Sequence, residues 1–217
     1  MYNHGMPTST YQIRLCDLCG LRYPLTEGHT FGTRCPICMG DTRLILSREL
    51  VYEPKRALAP NSSLKRRELA VLLDNIRSAW NVGSIFRSAD GFGFAHAYLC
   101  GITPTPEIEA VTKTSLGAED SVTWSYHKDA VKLVKGLKKE GWKVLALEEC
   151  ERAKEITKAK GSRANQRTVL IAGSEVTGVD PELLDLADKT FYIPMRGEKK
   201  SFNVAMAFSI AAYALNY

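Results

Sequence analysis

The chain has 217 residues, of which 45% are hydrophobic, 24% charged and 9% aromatic. This size and composition allow one full domain with a small appendage, and they exclude collagen-like, low-complexity and wholly disordered proteins. No apolar run approaches the ~20 residues of a membrane-spanning helix, and the N-terminus lacks the basic and then apolar pattern of a secretory signal. We therefore expect a soluble, cytoplasmic protein.

The formal net charge of +5 is unevenly distributed along the chain. Residues 1–67 hold ten Lys and Arg against five Asp and Glu, whereas the other nineteen basic residues are balanced by nineteen acidic ones. A basic arm on a neutral body favours contact with nucleic acid, because such arms neutralise phosphates. A solvated loop with some arginines is the alternative. The candidate RNA-binding residues are Arg14, Arg22, Arg34, Arg43, Lys55, Arg56, Lys65, Arg66 and Arg67.

Four cysteines near the N-terminus have the spacing of a metal site. Cys16 and Cys19 form one C-x2-C pair, and Cys35 and Cys38 form a second after fifteen intervening residues. This spacing predicts a structural zinc site with four thiolate ligands. Two disulfides would require an export signal, and iron fits the same ligands. We predict a zinc ribbon over residues 1–46.

Glycines follow both cysteine pairs, and Gly20 and Gly40 are expected to relieve the tight turns. Cys100 and Cys150 end or follow apolar stretches, so we expect both to be buried thiols.

A linker is predicted over residues 47–67, which contain Pro54, Pro60 and three consecutive basic residues. From residue 68 onward, short apolar runs alternate with helical patterns, and this order predicts an α/β fold with a mostly parallel sheet. The predicted strands are Leu69–Leu73, Ala97–Cys100, Val122–Tyr126, Val144–Leu147, Thr168–Ala172 and Phe191–Ile193.

Four helices are predicted around these strands. Asn81 is expected to cap the first helix, and Asp180 with Pro181 starts the third. The last helix is apolar nearly all round, so it should be covered on more than one side. The apolar positions of the other helices are Val82, Ile85, Phe86 and Ala89 in the first, Ala130, Val131, Val134 and Leu137 in the second, and Val204 to Leu215 in the last.

Three polar segments follow predicted strands, where open α/β sheets hold their ligands. On the first helix Arg87 lies among small residues on the face opposite the apolar stripe, which leaves room for a ligand beside it. A solvated surface arginine is the alternative. The segments contain Asn81 and Arg87, then Gly173, Glu175 and Gly178, then Ser201 and Asn203.

The second segment is a glycine-rich turn after an apolar strand. Gly173 and Gly178 would let the backbone approach a ligand closely, and Glu175 between them could orient a hydroxyl or a cation. The turn matches neither the dinucleotide nor the triphosphate fingerprint. An ordinary strand-to-helix turn is the alternative.

The three segments together resemble the ordered motifs of SpoU (TrmH) RNA 2′-O-ribose methyltransferases, of the SPOUT class. The matching features are Asn81 and Arg87 spaced six apart, Gly-Ser-Glu-x-x-Gly at 173–178, Ile-Pro-Met-x-Gly at 193–197 and Ser-x-Asn at 201–203. The resemblance covers residues 68–217. Phe202 stands where leucine is commoner, and Val176 and Thr177 replace a glycine-containing pair.

This resemblance implies a SPOUT-type α/β domain over residues 68–217 with a deep C-terminal trefoil knot. It also implies a homodimer and an S-adenosylmethionine site in loops of the knot, with no membrane partner. The implied cofactor contacts are Leu147, Gly173, Ile193, Met195, Phe202 and Asn203.

The implied reaction transfers a methyl group to a ribose 2′-hydroxyl of tRNA or rRNA. In the family, the arginine that matches Arg87 is taken to activate the hydroxyl, while the residues that match Asn81, Glu175, Ser201 and Asn203 orient it or the substrate. Because a guanidinium is not normally deprotonated in proteins, we interpret Arg87 as a clamp for RNA phosphate and ribose.

Two other functions stay open at the level of sequence. A non-catalytic zinc-ribbon RNA-binding protein on the same fold need not keep the five polar residues together. A Rossmann-type oxidoreductase would require a glycine-rich turn after the first strand, where this chain has Asp74, Asn75, Ile76 and Arg77.

Overall fold

The computed structural model describes residues 10–26, 32–50, 68–158 and 166–216. The chain divides into two compact units, Met1–Asn61 and Ser62–Tyr217. Most of the predicted linker, residues 51–67, lies outside the described residues. The division into a ribbon over 1–46, a linker over 47–67 and a methyltransferase domain over 68–217 stays a prediction.

The first unit contains a small antiparallel sheet in the order β2-β1-β3. Among the described residues of this unit, the buried hydrophobic side chains are Cys16, Leu25 and Cys35. Two of these three are thiols, so apolar burial contributes little to the stability of the unit. The strands are β1 (Thr10–Cys16), β2 (Arg22–Thr26) and β3 (Thr42–Glu49).

The second unit is built on a seven-stranded sheet in the order β6-β5-β4-β9-β7-β10-β8, in which every pairing is parallel. This confirms the predicted α/β class. The six predicted strands are all present, with ends shifted by two residues at most, and β8 was not predicted. The strands are β4 (Leu69–Asp74), β5 (His96–Cys100), β6 (Thr123–His127), β7 (Lys143–Leu147), β8 (Lys154–Glu155), β9 (Thr168–Ala172) and β10 (Lys189–Tyr192).

Helices cover both faces of this sheet. Side chains of α1 and α5 belong to the core on one face, and those of α3 and α4 belong to the core on the other. None of the helices that the structure describes is long and apolar enough to cross a lipid bilayer. The helices are α1 (Ala79–Gly91), α2 (Glu109–Ser115), α3 (Ala130–Lys139), α4 (Pro181–Leu186) and α5 (Val204–Asn216).

The start of α1 differs from the prediction. Ser78, not Asn81, is the N-cap, and its hydroxyl accepts a hydrogen bond from the backbone N–H of Asn81 at 3.4 Å. Asn81 lies in the first turn of the helix, as its third residue. Its side chain is therefore available for contacts outside the helix.

The last helix is less completely covered than its composition predicts. Ala205, Phe208 and Ala212 are buried, but Met206 and Tyr213 are 57% and 59% exposed. The unit Ser62–Tyr217 thus buries one face of α5 and leaves part of another apolar face accessible.

The strand order brings the three polar segments to one edge. From β4 the chain proceeds outward through β5 and β6, and it then crosses to β7 on the other side of β9. The boundary between β4 and β9 is therefore a topological switch point, where the carboxyl ends of the strands border a crevice. The segments that follow β4 and β9 flank this crevice, as the sequence predicts.

Candidate active site

A cavity of about 500 Å³ lies at the carboxyl ends of β7, β9 and β10. It is lined by the loops that follow these three strands and by the start of α5. Its volume is in the range of small-molecule sites. All six residues predicted to contact a cofactor line it: Leu147, Gly173, Ile193, Met195, Phe202 and Asn203.

Glu175 connects the loop after β9 to the beginning of α1. Its two carboxylate oxygens accept hydrogen bonds from the backbone N–H groups of Arg77 at 2.9 Å and Ser78 at 3.2 Å. One oxygen also accepts a hydrogen bond from the side-chain amide of Asn81 at 2.7 Å. Three donors thus hold the carboxylate at the N-terminus of a helix, where negative charge is favoured.

These contacts favour the ionised form of Glu175 further. Partial burial acts to raise the pKa of the carboxyl, but the hydrogen bonds from Arg77, Asn81 and Ser78 outweigh it and hold the pKa below its ordinary value. Glu175 is therefore ionised at neutral pH and is a weak proton acceptor.

Asn203 extends this chain of hydrogen bonds to α5. Its amide donates to the side-chain oxygen of Asn81 at 3.0 Å, and its own oxygen accepts from the backbone N–H of Ala205 at 3.0 Å. Asn203 therefore caps α5 and at the same time fixes the orientation of the Asn81 amide. Glu175, Asn81 and Asn203, which are far apart in the sequence, form one hydrogen-bonded chain.

Ser201 and Arg87 are not part of this chain. Ser201 lines the cavity, whereas Arg87 does not. Arg87 is exposed, and it makes no hydrogen bond or ion pair with the residues that the structure describes. The face around it is less open than predicted, because the hydroxyl of Ser88 contacts that of Ser209 on α5 at 2.7 Å.

The two glycines of the loop after β9 allow two segments of the loop's own backbone to approach each other closely. A Cβ at Gly173 would clash with the backbone of Gly178 and Val179, and Gly178 has a left-handed φ of +72°. Ser174 and Gly178 exchange two backbone hydrogen bonds of 3.0 and 2.9 Å. The glycines therefore close a compact turn, and this accounts for both of them without a ligand.

Two carboxylates that sequence reasoning missed hold this turn in place. Glu148 accepts a hydrogen bond from the backbone N–H of Val179 at 2.9 Å, and Asp74 accepts one from that of Asp180 at 3.0 Å. Burial and the nearby Asp180 raise the pKa of Asp74, against the effect of its hydrogen bonds. Asp74 and Glu148 each directly follow a predicted strand, at the carboxyl edge of the sheet. This position is the sequence signal that could have identified them as residues of the site.

The cavity wall carries more negative than positive groups. Glu148, Glu149 and Glu175 line it, and Lys200 is the cationic residue among the lining side chains. Such a wall favours a cationic ligand over a neutral one of the same shape.

The four predicted metal ligands lie together in the first unit. Their sulfur atoms are all within 4.8 Å of one another, and the distances are 3.5 Å between Cys16 and Cys38 and 3.6 Å between Cys19 and Cys35. Tetrahedral coordination with Zn–S bonds of about 2.3 Å places sulfur atoms about 3.8 Å apart. The geometry of the four sulfurs therefore fits a zinc ion.

Backbone hydrogen bonds lower the pKa of the first cysteine of each pair, Cys16 and Cys35, whereas burial and the neighbouring thiols outweigh such bonds at Cys19 and Cys38 and raise their pKa. The N–H of Cys19 donates to the sulfur of Cys16 at 3.4 Å. Gly20 has a left-handed φ of +73°, as expected, but in the second turn Met39, not Gly40, adopts this conformation.

The two other cysteines differ from each other. Cys100 is buried as predicted, and burial, together with Asp74 and Asp129, raises the pKa of its thiol to about 12. Cys150 is only half-buried, because it lies in the loop after β7 rather than in a strand.

Several arginines of the predicted RNA-binding arm have partners within the first unit. Arg34 pairs with Asp41 and Arg43 with Asp17, each at 3.3 Å, and Arg14 bonds to the hydroxyl and carbonyl of Thr42. Lys55, Arg56 and residues 65–67 of the arm lie outside the described residues.

The parallel α/β sheet, with a cavity at the carboxyl ends of its strands, defines the second unit as a ligand-binding α/β domain. Residues 68–213 match the model of the SpoU rRNA Methylase family, and the chain belongs to this family.

Individual relatives agree with this assignment. A tRNA (guanosine(18)-2′-O)-methyltransferase of Thermus thermophilus is 31% identical over 152 residues, which are 69% of this chain and 76% of that enzyme. The 23S rRNA (guanosine(2553)-2′-O)-methyltransferase RlmP of Bacillus subtilis is 28% identical over 72% of this chain, which spans 61% of that enzyme. The crystal structure of the TrmH/SpoU tRNA modifying enzyme of Aquifex aeolicus has a TM-score of 0.63 and 25% identity over 70% of this chain and 76% of its own.

We expect Glu175→Ala to lower both the thermal unfolding midpoint and the rate of methyl transfer, because three N–H donors lose their acceptor. Glu149→Ala is the matched control: it removes a carboxylate from the same cavity wall, but no hydrogen bond is described for that side chain. Equal midpoints for the two variants would contradict the structural role of Glu175.

The pH dependence of this effect follows from the lowered pKa of Glu175. The stabilisation is present above the unfolded-state pKa of about 4.3 and is lost as the pH falls through the lower folded-state pKa. The difference in midpoint between the wild type and Glu175→Ala should therefore stay constant from pH 9 to about 5 and shrink in more acidic buffer.

Proposed function

We propose that the protein is an S-adenosylmethionine-dependent RNA methyltransferase that methylates a ribose 2′-hydroxyl of tRNA or rRNA. Membership of the SpoU rRNA Methylase family supports this reaction class. The relatives include enzymes named for tRNA and for rRNA, so the proposal covers both substrates. Acting on such RNA would place the protein in the cytoplasm.

The observation that carries the proposal is the cavity with the Glu175–Asn81–Asn203 chain at its side. Leu147, Ile193, Met195 and Phe202 offer apolar surface for an adenine ring, and the acidic wall suits the positive charge of a sulfonium. When bound, S-adenosylmethionine supplies an activated methyl group. A non-catalytic RNA-binding protein would have no need for this combination.

In the proposed reaction, S-adenosylmethionine would supply its methyl group to the 2′-oxygen and leave as the neutral thioether S-adenosylhomocysteine, and the hydroxyl proton would pass to a phosphate oxygen of the RNA. The residues of this chain contribute mainly by aligning the two reactants. Asn203 lines the cavity and holds Asn81, which in turn contacts Glu175, so the three fix the geometry between the cavity and α1.

Glu175 is not suited to be the general base at neutral pH, because its pKa is lowered and both of its oxygens accept hydrogen bonds. We assign it to positioning α1. Arg87, which is exposed and has no described partner, is assigned to binding the phosphate and ribose of the RNA. Ser201 is assigned to orienting the substrate at the cavity.

We also propose that the protein acts as a homodimer and that the first unit binds structural zinc. Met206 and Tyr213 leave an apolar part of α5 exposed, which a second copy could cover. The four-cysteine cluster has the geometry of a zinc site.

The proposed function is tested by incubating the purified protein with labelled S-adenosylmethionine and RNA from a strain that lacks its gene. We expect label to enter tRNA or rRNA as 2′-O-methyl nucleosides, and mapping of these nucleosides would identify the substrate. Binding of S-adenosylmethionine without transfer to any RNA would contradict the enzymatic proposal.

A further inference from the structure

Helix α3 presents a row of lysines without neutralising partners. Lys132, Lys135 and Lys139 lie within about 60° of arc on the helix and span about 10.5 Å along it. All three are exposed, and none forms an ion pair with the residues that the structure describes. Lys128, just before the helix, is also exposed and unpaired among these residues. We call these four residues the lysine face.

Local electrostatics account for the charge of Lys139, which lies in the last turn of α3 where the helix dipole favours a cation, but not for the charges of Lys132 and Lys135. The helix has no acidic residue between its N-cap Asp129 and its C-cap Glu140. An ordinary solvated helix alternates the two signs of charge. Lys138, which is not part of the lysine face, makes the stabilising contact with Asp188 at 2.8 Å.

The positive charge of Lys132 is unfavourable at its position in α3. Lys132 lies in the first turn of α3, where positive charge is unfavourable because the helix dipole is positive at this end. Its backbone N–H is satisfied by Asp129 at 2.9 Å, but no acidic group neutralises its side chain among the described residues. Local stability therefore does not explain the charge of Lys132.

The lysine face begins at the same edge of the sheet as the candidate active site. Lys128 directly follows β6, and the cavity lies at the carboxyl ends of β9, β7 and β10. In the sheet order, β9 is three and β7 four strands from β6, or about 14 and 19 Å at the usual strand spacing. About five nucleotides of a stacked strand, at about 3.4 Å each, cover the distance from Lys128 to the cavity. From Lys128 the lysine face follows α3 away from this edge, because the helix ends at Lys139, shortly before the start of β7.

We propose that the lysine face binds the phosphate backbone of the substrate RNA a few nucleotides away from the modified ribose. This inference rests on the proposed function for the identity of the RNA as substrate. Charge complementarity selects the occupant, because closely spaced phosphates match a row of cations that no acidic side chain in the described part of the chain neutralises. Residues 68–217 then contribute to RNA affinity although their basic and acidic residues balance, so the basic arm is not the sole source of affinity.

The experiment compares matched double variants of the full-length protein. K132Q/K135Q removes two charges from the lysine face, and K154Q/K189Q removes two exposed lysines of β8 and β10, which likewise form no ion pair with the residues that the structure describes. The affinity for a mixture of unmodified tRNA transcripts is measured at several salt concentrations. Each lost phosphate contact lowers the slope of log K against log salt by about 0.7–0.9, so we expect a decrease of about 1.4–1.8 for K132Q/K135Q and a smaller one for the control.

The variant K132R/K135R keeps both charges and should keep the wild-type slope. Equal slopes for the wild type and K132Q/K135Q would overturn the proposal, as would equal decreases in the two double variants. If the lysine face binds an acidic protein instead of RNA, the slope of log K for RNA binding against log salt would also be the same in K132Q/K135Q and the wild type, and the proposal would be overturned. Labelled methyl transfer is measured separately, so a protein that shows the expected slopes without transfer contradicts the proposed function and leaves the RNA-binding face supported.

Discussion

Arg87→Ala is expected to lower the rate of methyl transfer by about 10²- to 10³-fold, the range found when one charge-stabilising donor is removed from an active site. The affinity for S-adenosylmethionine should change by no more than a few-fold. The physical reason is location: Arg87 is not among the residues that line the cavity, and its guanidinium is exposed and unpaired among the described residues. Radiolabelled transfer and calorimetric cofactor binding measure the two quantities.

Two further variants separate the role of Arg87 from a general disturbance of the site. Arg87→Lys keeps the charge but not the planar fork that binds phosphate in a bidentate manner, so we expect it to restore only part of the rate. Asn203→Ala should weaken both cofactor binding and transfer, since Asn203 lines the cavity, caps α5 and holds Asn81. Loss of cofactor binding in Arg87→Ala would place this residue in the cofactor site and contradict its proposed role.

The positions of the site residues along the strands were predictable because they depend on local sequence. Each predicted strand is a short apolar run, and in a parallel sheet all carboxyl ends lie on one edge. This rule alone brings the segments of Asn81, Glu175 and Asn203 to one region, and in the structure these three residues form a chain of hydrogen bonds.

The partners of these residues were not predictable from spacing. Asparagine is a common N-cap residue, so Asn81 was a plausible cap. Only the structure shows that Ser78 is the cap and that the helix begins about one turn earlier. Glu148 and Asp74 hold the turn after β9 from strands that lie on opposite sides of β9 in the sheet, so their role depends on strand order. Strand order and the predicted knot are properties of the whole chain, and no local pattern encodes them.

The largest expected effect on stability concerns the metal. Purified protein should contain about one zinc ion per chain, and Cys35→Ser should release it and unfold the sheet β1–β3 while the second unit keeps its thermal transition. Structural zinc contributes about 10–16 kcal/mol of apparent binding free energy at neutral pH. The three buried hydrophobic residues described in the first unit cannot replace this contribution, because two of them are the proposed ligands Cys16 and Cys35.

Cys150→Ser is the matched control for this experiment, since Cys150 is a half-buried cysteine outside the four-cysteine cluster. Elemental analysis should find zinc unchanged in Cys150→Ser and lost in Cys35→Ser, and limited proteolysis should cleave only the latter within residues 10–50. Iron in place of zinc would appear as a visible thiolate-to-metal absorption band and would correct the identity of the ion. Freshly prepared, folded wild-type protein without metal would contradict the site itself, because four thiols within 4.8 Å would then need another source of stability.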